Sequence, residues 1–336
     1  MRHPTPLKFL GPVWFTAVMG LAGLAQAWWR AGGLMGEWAQ GATLVLSAAA
    51  LLAFVLLLAA SALRARRHAQ AWSDDFSHPL RHPLLAAIPV SLILLGTLAT
   101  ALLGPTRWSG LAWGLGCALQ LACTLWVLSR WWRGQGPGGL QWMGVTPLLI
   151  IPVVGNVLAP LAGVALGAGD WAAAQFGLGV FLWLLVMALL LARLAVQGLW
   201  PERLLASSFI LVAPPAVIGL ALLALGAPAV WAQAMWGVAL LCLLWAAQLL
   251  RRVLAQPFTP AFWALGFPTS AFAGLTLALA EHSALMRLLA VPVLALSSLL
   301  VLALAMATWR GLRDGSLLAP EPVAVLQSGA PPAASR

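Results

Sequence analysis

The chain has 336 residues, of which 62% are hydrophobic and only 8% are charged. Soluble domains average roughly 45–50% apolar and about 25% charged residues, so the composition excludes a soluble globular protein. It predicts an all-α polytopic membrane protein, with the lipid bilayer as its main partner. The net charge of +10 indicates loops that face anionic lipid rather than a surface for nucleic acid.

Hydropathy predicts ten membrane spans, and charge placement gives their orientation. The spans lie at about residues 10–29, 40–63, 83–104, 109–129, 145–167, 172–192, 204–225, 230–250, 261–280 and 288–308. With both termini in the cytoplasm, only Arg30, Arg107 and Arg287 fall outside, which leaves 15 of the 18 Lys and Arg residues inside. This asymmetry predicts a multi-pass protein of a bacterial inner membrane with both termini cytoplasmic.

The first span also has the pattern of a secretory signal peptide. Residues 1–27 combine a basic start, an apolar run and a cleavage-like Ala25-Gln26-Ala27. Pro12 and the fit of this segment to the internal repeat favour a retained helix.

Prolines recur in the odd-numbered spans and predict a repeat. Pro89, Pro152 and Pro214 are separated by 63 and 62 residues, and Pro268 follows 54 residues later. The odd spans hold Asn156 and hydroxyl groups such as those of Ser91, Thr97 and Thr269, whereas the even spans are richer in plain Leu and Ala. We therefore predict five helical hairpins, each with one kinked inner helix and one straight outer helix, around a central pore.

The segments outside the spans carry less information. The loop at 64–81 contains Asp74, Asp75 and His78 and is predicted to be a solvated connector, because no compact metal-ligand spacing is present. Residues 1–314 are predicted to form the transmembrane domain, and residues 315–336, rich in Pro, Ala and Ser, a disordered cytoplasmic tail. Cys117, Cys123 and Cys242 lie in apolar runs, which argues against disulfides or a metal site.

No span interior contains Asp, Glu, Lys, Arg or His. A membrane metalloprotease, a haem protein or a serine hydrolase needs such groups, so we expect no enzyme, no cofactor and no metal. Proton-coupled carriers also normally use an intramembrane ionisable group. The remaining uncharged passage, with hydroxyl groups and proline-freed backbone, suits an anion, although other readings stay open at this point.

Several short motifs occur in a fairly specific order along residues 5–310. They are Pro12-x2-Phe15-x4-Gly20-x2-Gly23, His82-Pro83, Thr146-Pro147, Pro152-x3-Asn156, Gln256-Pro257-Phe258, Phe262-Trp263 and Phe267-Pro268. Together they resemble the family of the tellurite-resistance protein TehA and the plant guard-cell slow anion channels, which is also labelled as dicarboxylate or malate transporters. One departure is Gly155, where the family usually has Ala.

The resemblance implies a homotrimer in which each subunit has its own pore. It implies an anion channel for small inorganic or organic anions, with Phe267 at the position of the gating Phe; a secondary carrier for malate or related dicarboxylates is the alternative. A third possibility is a structural or signalling membrane protein with a blocked pore. Candidates for pore lining or kinks are Phe15, Gly20, Pro89, Pro152, Asn156, Pro214, Pro268 and Thr269. Phe267 and Phe15 have an alternative role as packed core aromatics, and Asn156 as a link between helices.

Overall fold

The computed structural model describes residues 6–134, 136 and 138–318, and this part of the chain is helical, without strands. The α-helices are α1 Phe15–Arg30, α2 Gly32–Met35, α3 Glu37–Arg67, α4 Ala69–Ser77, α5 Ala87–Leu103, α6 Arg107–Trp131, α7 Ile150–Val154, α8 Pro160–Gly163, α9 Gly169–Gln197, α10 Ala213–Ala224, α11 Ala229–Ala247, α12 Leu250–Leu254, α13 Gly266–Ala278 and α14 Ala284–Asp314. The 3₁₀ helices are Pro6–Phe9, Pro12–Trp14, His82–Ala86, Trp142–Gly144, Pro147–Leu149, Gly155–Leu158, Glu202–Val212, Pro260–Leu265 and Ser316–Leu318.

Eight helical segments in the described residues are long and apolar enough to cross a membrane. They are Glu37–Arg67, His82–Leu103, Arg107–Trp131, Gly169–Gln197, Glu202–Ala224, Ala229–Ala247, Pro260–Ala278 and Ala284–Asp314. The first predicted span is represented by α1, which has 16 residues. The fifth is represented by the shorter apolar run Pro147–Gly163. The chain is thus an all-helical, multi-pass membrane protein, and the count of ten spans stays a prediction.

The segments fall into two groups that differ in burial. The inner segments are α1 with Pro12–Trp14, His82–Leu103, Pro147–Gly163, Glu202–Ala224 and Pro260–Ala278. The outer helices are α3, α6, α9, α11 and α14. Within an apolar stretch of 18 residues in each segment, 94% of the residues are buried in Glu202–Ala224 but only 17% in α3. The outer helices expose apolar side chains such as Leu52, Leu125 and Leu299, which is the pattern expected of a surface in contact with lipid.

Four prolines of the inner segments lie where a helix changes type. Pro89, Pro152 and Pro268 are each the third residue of an α-helix, and Pro214 is the second residue of α10. A 3₁₀ helix precedes each of these α-helices. Proline is well tolerated in the first helical turn, where a backbone N–H has no intrahelical acceptor. The predicted kinks therefore take the form of 3₁₀-to-α junctions.

Both ends of the described chain lie on one face of the helical assembly. The 3₁₀ helix Pro6–Phe9 contacts Ser316–Leu318, and we name this side the terminus face. Short connections at 31–36, 104–106 and 279–283 lie at the opposite ends of the segments, and we name that side the turn face. Of the predicted tail, only 315–318 are described; Gly315 ends α14 with φ 79°, and 319–336 lie outside the described residues.

The predicted solvated connector at 64–81 contains the helix α4, which exposes residues such as Asp74 but buries Asp75 on its other face. Asp75 is fully buried and forms ion pairs with Arg64 at 2.6 Å and with Arg81 at 3.0 Å. The Arg64 guanidinium, also buried, donates to the backbone carbonyls of Lys8 and Ala71. The sequence pattern failed here because two cations can bury a carboxylate that hydropathy assigns to solvent. Nowhere in the described ranges do three His, Cys, Asp or Glu side chains gather as a metal site would require.

Candidate pore

The inner segments enclose a cavity in the half of the bundle nearer the terminus face. The cavity volume is about 50 Å³, which corresponds to a few water molecules. All five inner segments contribute to its wall, and we name it the terminus-side cavity. Its lining residues are Thr16, Met19, Val90, Ile150, Ile151, Val154, Gly155, Val157, Leu158, Ile210, Ala213, Pro214, Val217, Trp263, Ala264, Phe267 and Pro268.

The wall of the terminus-side cavity is almost entirely apolar. Among its lining residues, only Thr16 and Trp263 carry a polar side-chain atom. The Thr16 hydroxyl donates to the Val13 carbonyl at 2.6 Å, and the Trp263 indole N–H donates to Thr308 Oγ1 at 2.9 Å. A charged solute in this cavity would therefore meet no ionisable side chain.

A second, smaller cavity lies toward the turn face, and we name it the turn-side cavity. Its volume on the same measure is about 10 Å³, enough for about one water molecule. It is more polar than the first cavity, because Gln26, Arg30 and Ser270 contribute to its wall. The full lining is Gly23, Gln26, Ala27, Arg30, Leu94, Leu158, Leu161, Val217, Leu220, Phe267, Ser270, Ala271 and Gly274.

Phe267 lies between the two cavities and lines both of them. Leu158 and Val217 are the other residues that the two linings share. The Phe267 ring is 8% exposed and packs against Gly23, where an added Cβ would lie 2.8 Å from the ring Cδ2 atom. The absence of a side chain at Gly23 thus makes room for the ring between the two cavities.

The structure separates the proline candidates into two pairs. Pro214 and Pro268 line the terminus-side cavity, whereas Pro89 and Pro152 are buried outside both cavity linings. Thr269, next to Pro268, also lies outside both linings, and its hydroxyl donates to the carbonyls of Leu265 and Gly266.

Phe15 and Gly20 lie in packing contacts between helices. The Phe15 ring meets Phe54 of α3 edge to face, with ring centroids 5.9 Å apart, and lines neither cavity. An added Cβ at Gly20 would lie 2.9 Å from the Trp263 ring and 3.5 Å from Gly266 Cα. Gly20 therefore allows α1 and the start of α13 to approach closely.

Asn156 links the inner segment Pro147–Gly163 to two outer helices. Its amide nitrogen donates to Thr124 Oγ1 of α6 at 2.9 Å, and its amide oxygen accepts from Gln175 Nε2 of α9 at 2.9 Å. The side chain is fully buried and does not contribute to either cavity wall. In this structure it joins helices rather than facing the passage.

Gln120 of α6 extends the same network to the backbone around Pro152. Its amide nitrogen donates to the carbonyls of Ile151 and Pro152, at 3.2 and 2.9 Å. Thr124 also donates to the Pro152 carbonyl. The backbone that departs from regular α-helix at this point is therefore satisfied by an outer helix and not by solvent in the pore.

Gln120, Thr124 and Gln175 were not predicted as functional residues, because the proline and hydroxyl pattern pointed to the odd spans. An available signal was that Gln120 and Gln175 are uncharged amides inside strongly apolar segments, where burial in lipid would be costly. The position of Gln26 and Arg30 at the same cavity as Phe267 was not predicted either. That proximity depends on the packing of α1 against α13, which no local pattern encodes.

Comparisons with known proteins agree with this architecture. The sequence profile of a family described as voltage-dependent anion channel matches residues 10–309. A tellurite resistance protein TehA homolog from Haemophilus influenzae is 25% identical over 268 residues, which cover 77% of this chain and 78% of the relative. Both results confirm the resemblance indicated by the motifs, and they support a function in anion transport or conduction rather than in enzyme catalysis. Because the profile matches nearly the whole chain, the protein belongs to the voltage-dependent anion channel family.

Proposed function

We propose that each chain forms a passive anion channel whose pore is closed by the Phe267 ring. The observation that carries the proposal is that this ring contributes to the walls of both cavities. The cavity walls offer almost no fixed charge that could close the path electrostatically. Closure then rests on steric occlusion and on the exclusion of water by an apolar constriction.

We propose that ten spans surround this pore as five hairpins. Helix α1 has 16 residues and follows three residues of 3₁₀ helix, which together rise about 30 Å at 1.5 and 2.0 Å per residue. Pro147–Gly163, a mixture of both helix types, rises about 29 Å on the same arithmetic. Both lengths match the hydrocarbon thickness of about 30 Å, which supports counting these two segments as spans.

We place the terminus face in the cytoplasm of a bacterial cell and the exposed outer helices against lipid. The reason for the orientation is that, of the Lys and Arg residues in the described ranges, only Arg30, Arg107 and Arg287 belong to the turn face. A reporter that is active only in the periplasm, fused after Arg313, should stay silent, and a strong signal would contradict this orientation. The homotrimer implied by the resemblance is part of the same proposal, since the outer helices leave apolar surface available to neighbouring copies.

The competing proposal is a secondary carrier for malate or a related dicarboxylate. Proton coupling normally requires a side chain that titrates within the membrane, and the terminus-side cavity has none. Passive current that follows the anion gradient supports the channel. Uptake that collapses when the proton gradient is removed supports the carrier.

The test of the gate is the current through Phe267→Ala in planar bilayers, normalised to folded protein. We expect conductance at least about tenfold above the parent, since about 1.4 kcal/mol of removed barrier already gives a factor of ten. Phe267→Leu keeps part of the bulk and should give an intermediate current. Phe54→Ala, which removes a buried aromatic from outer helix α3, is the matched control and should leave the current unchanged.

If Phe267 were only a packed core residue, Phe267→Ala would behave differently. Removal of a core Phe typically costs about 3–5 kcal/mol, so the variant would yield less folded protein and no added current. A folded Phe267→Ala protein that conducts no more than the parent would refute the gate.

A further inference from the structure

The two cavities differ in their charge. No charged side chain lines the terminus-side cavity, whereas Arg30 lines the turn-side cavity together with Gln26, Ser270 and Phe267. Among the residues that line the two cavities, Arg30 is therefore the only one with a charged side chain. Its position next to the gate ring distinguishes it from the other basic residues of the turn face, Arg107 and Arg287.

The Arg30 guanidinium is not neutralised by a carboxylate. Within the described part of the chain, the ion pairs are Arg64–Asp75, Arg81–Asp75 and Arg252–Glu202, and none of them includes Arg30. Arg30 Nη1 donates to the Gln26 carbonyl at 3.0 Å. A guanidinium has five N–H donors, so this one bond leaves most of its donor capacity for another acceptor.

The neighbouring polar groups already donate to protein atoms. The Gln26 amide nitrogen donates to the Leu94 carbonyl at 3.3 Å, and the Ser270 hydroxyl lies 2.8 Å from the Gly266 carbonyl and 3.2 Å from Ser297 Oγ. Gln26 keeps one further N–H and Ser270 keeps none, so an anion that enters this cavity would rely on Arg30 for charge and for most of its hydrogen bonds. A second role of Arg30, as a cation at the C-terminal end of α1, is favourable for the helix dipole but does not require a place at the cavity wall.

We propose that Arg30 is an anion-capture residue that concentrates small inorganic or carboxylate anions at the turn-face entrance of the pore, beside Phe267. This proposal rests on the proposed channel function. Because the cavity has room for about one water molecule, the anion sheds part of its hydration shell there. The guanidinium replaces that hydration with charge-assisted hydrogen bonds. The site is one-sided, since the terminus-side cavity has no corresponding cation.

The test compares Arg30→Gln and Arg30→Lys in a Phe267→Ala background, with chloride added on the turn-face side. At about 10 mM salt the Debye length is about 30 Å, so Arg30→Gln should lower the conductance about three- to tenfold. At about 1 M salt, where the Debye length is about 3 Å, the loss should shrink to less than about twofold. Arg30→Lys should retain most of the current at both concentrations.

The controls are Arg107→Gln and Arg287→Gln, which remove turn-face cations that do not line the passage. Each should lower the low-salt current by less than about twofold, because both side chains are exposed and water of high dielectric constant weakens their attraction for an anion in the cavity. A current through Arg30→Gln that equals its background at every chloride concentration would overturn the proposal. Absence of current in the Phe267→Ala background itself would instead refute the channel.

A second measurement avoids dependence on the folding of Arg30→Gln. Arg30→Cys in the same background is modified on the turn-face side with a thiol reagent that carries either a quaternary ammonium or a sulfonate group, and labelling is checked by mass. The cationic group should raise the low-salt current and the anionic group should lower it, relative to the unmodified protein. Equal currents after both modifications would overturn the proposal.

Discussion

The inner segments and the outer helices use different backbone geometry for the same membrane thickness. Outer helix α14 runs as α-helix for 31 residues, whereas the inner segment Glu202–Ala224 begins with eleven residues of 3₁₀ helix. Runs of 3₁₀ helix longer than three or four residues are uncommon. Non-α backbone at membrane depth is tolerated where protein surrounds it, and this inner segment is almost completely buried. The difference shows that burial, rather than sequence propensity, permits the irregular backbone.

Polar side chains differ between the two groups in a way that the hydropathy pattern hides. The outer helices direct Gln120, Thr124 and Gln175 inward, where they satisfy the amide of Asn156 and the backbone around Pro152. Hydroxyls of the inner segments often bond to their own helix, as Thr97 and Thr276 do. The wall of the terminus-side cavity therefore remains apolar, and these polar groups stabilise the contacts behind it.

The largest expected effect on stability comes from a change of Asn156 to its isosteric acid. Asn156→Asp replaces the amide donor to Thr124 and Val153 with a buried, unpaired carboxylate. An uncompensated buried charge costs about 3–5 kcal/mol, so the free energy of unfolding should fall by about that amount. The measurement is unfolding of the purified protein in detergent.

The matched control for this change is Gln248→Glu, which makes the same amide-to-acid replacement on an exposed residue. It should change the free energy of unfolding by less than about 0.5 kcal/mol. Equal stability of Asn156→Asp and Gln248→Glu would show that Asn156 is open to solvent. The distinction between an apolar pore wall and a polar layer behind it would then fail.

A smaller effect is expected where α1 makes room for the gate ring. In Gly23→Ala the new Cβ would lie 2.8 Å from the Phe267 ring, and overpacking of this kind typically costs about 1–3 kcal/mol. Removal of the ring should relieve the clash. The double variant with Phe267→Ala should therefore show a coupling of at least about 1 kcal/mol in a double-mutant cycle of unfolding free energies.

Gly237→Ala, on outer helix α11, provides the comparison. An added Cβ there meets no atom within 4 Å, so we expect no loss of stability and no coupling to Phe267. If the Gly23 and Phe267 changes were additive, the ring would not rest on α1 as described.

The sequence predicted the broad division of the molecule but not its internal contacts. Hydropathy placed the eight longest segments, and the proline repeat distinguished the inner group, because both signals are local. The 3₁₀ geometry was not predictable, since it depends on burial by neighbouring segments. The same holds for the bonds of Gln120 to the backbone around Pro152 and for the packing of Phe15 against Phe54. Each of these contacts depends on the rotation of one helix relative to its neighbour. A helix that is apolar on nearly all sides carries little sequence signal for that rotation.

The central claim, that Phe267 separates two cavities on one path, is tested most directly by a matched pair of cysteines on either side of the ring. Ala264 lines the terminus-side cavity and Ala271 the turn-side cavity, seven residues apart on one segment. Each is changed to Cys after Cys117, Cys123 and Cys242 have been replaced by Ala, and a charged, membrane-impermeant thiol reagent is added on the turn-face side. We expect labelling of Ala271→Cys alone while Phe267 is present, and of both positions in Phe267→Ala. Equal labelling of Ala264→Cys with the Phe267 ring in place would contradict the account.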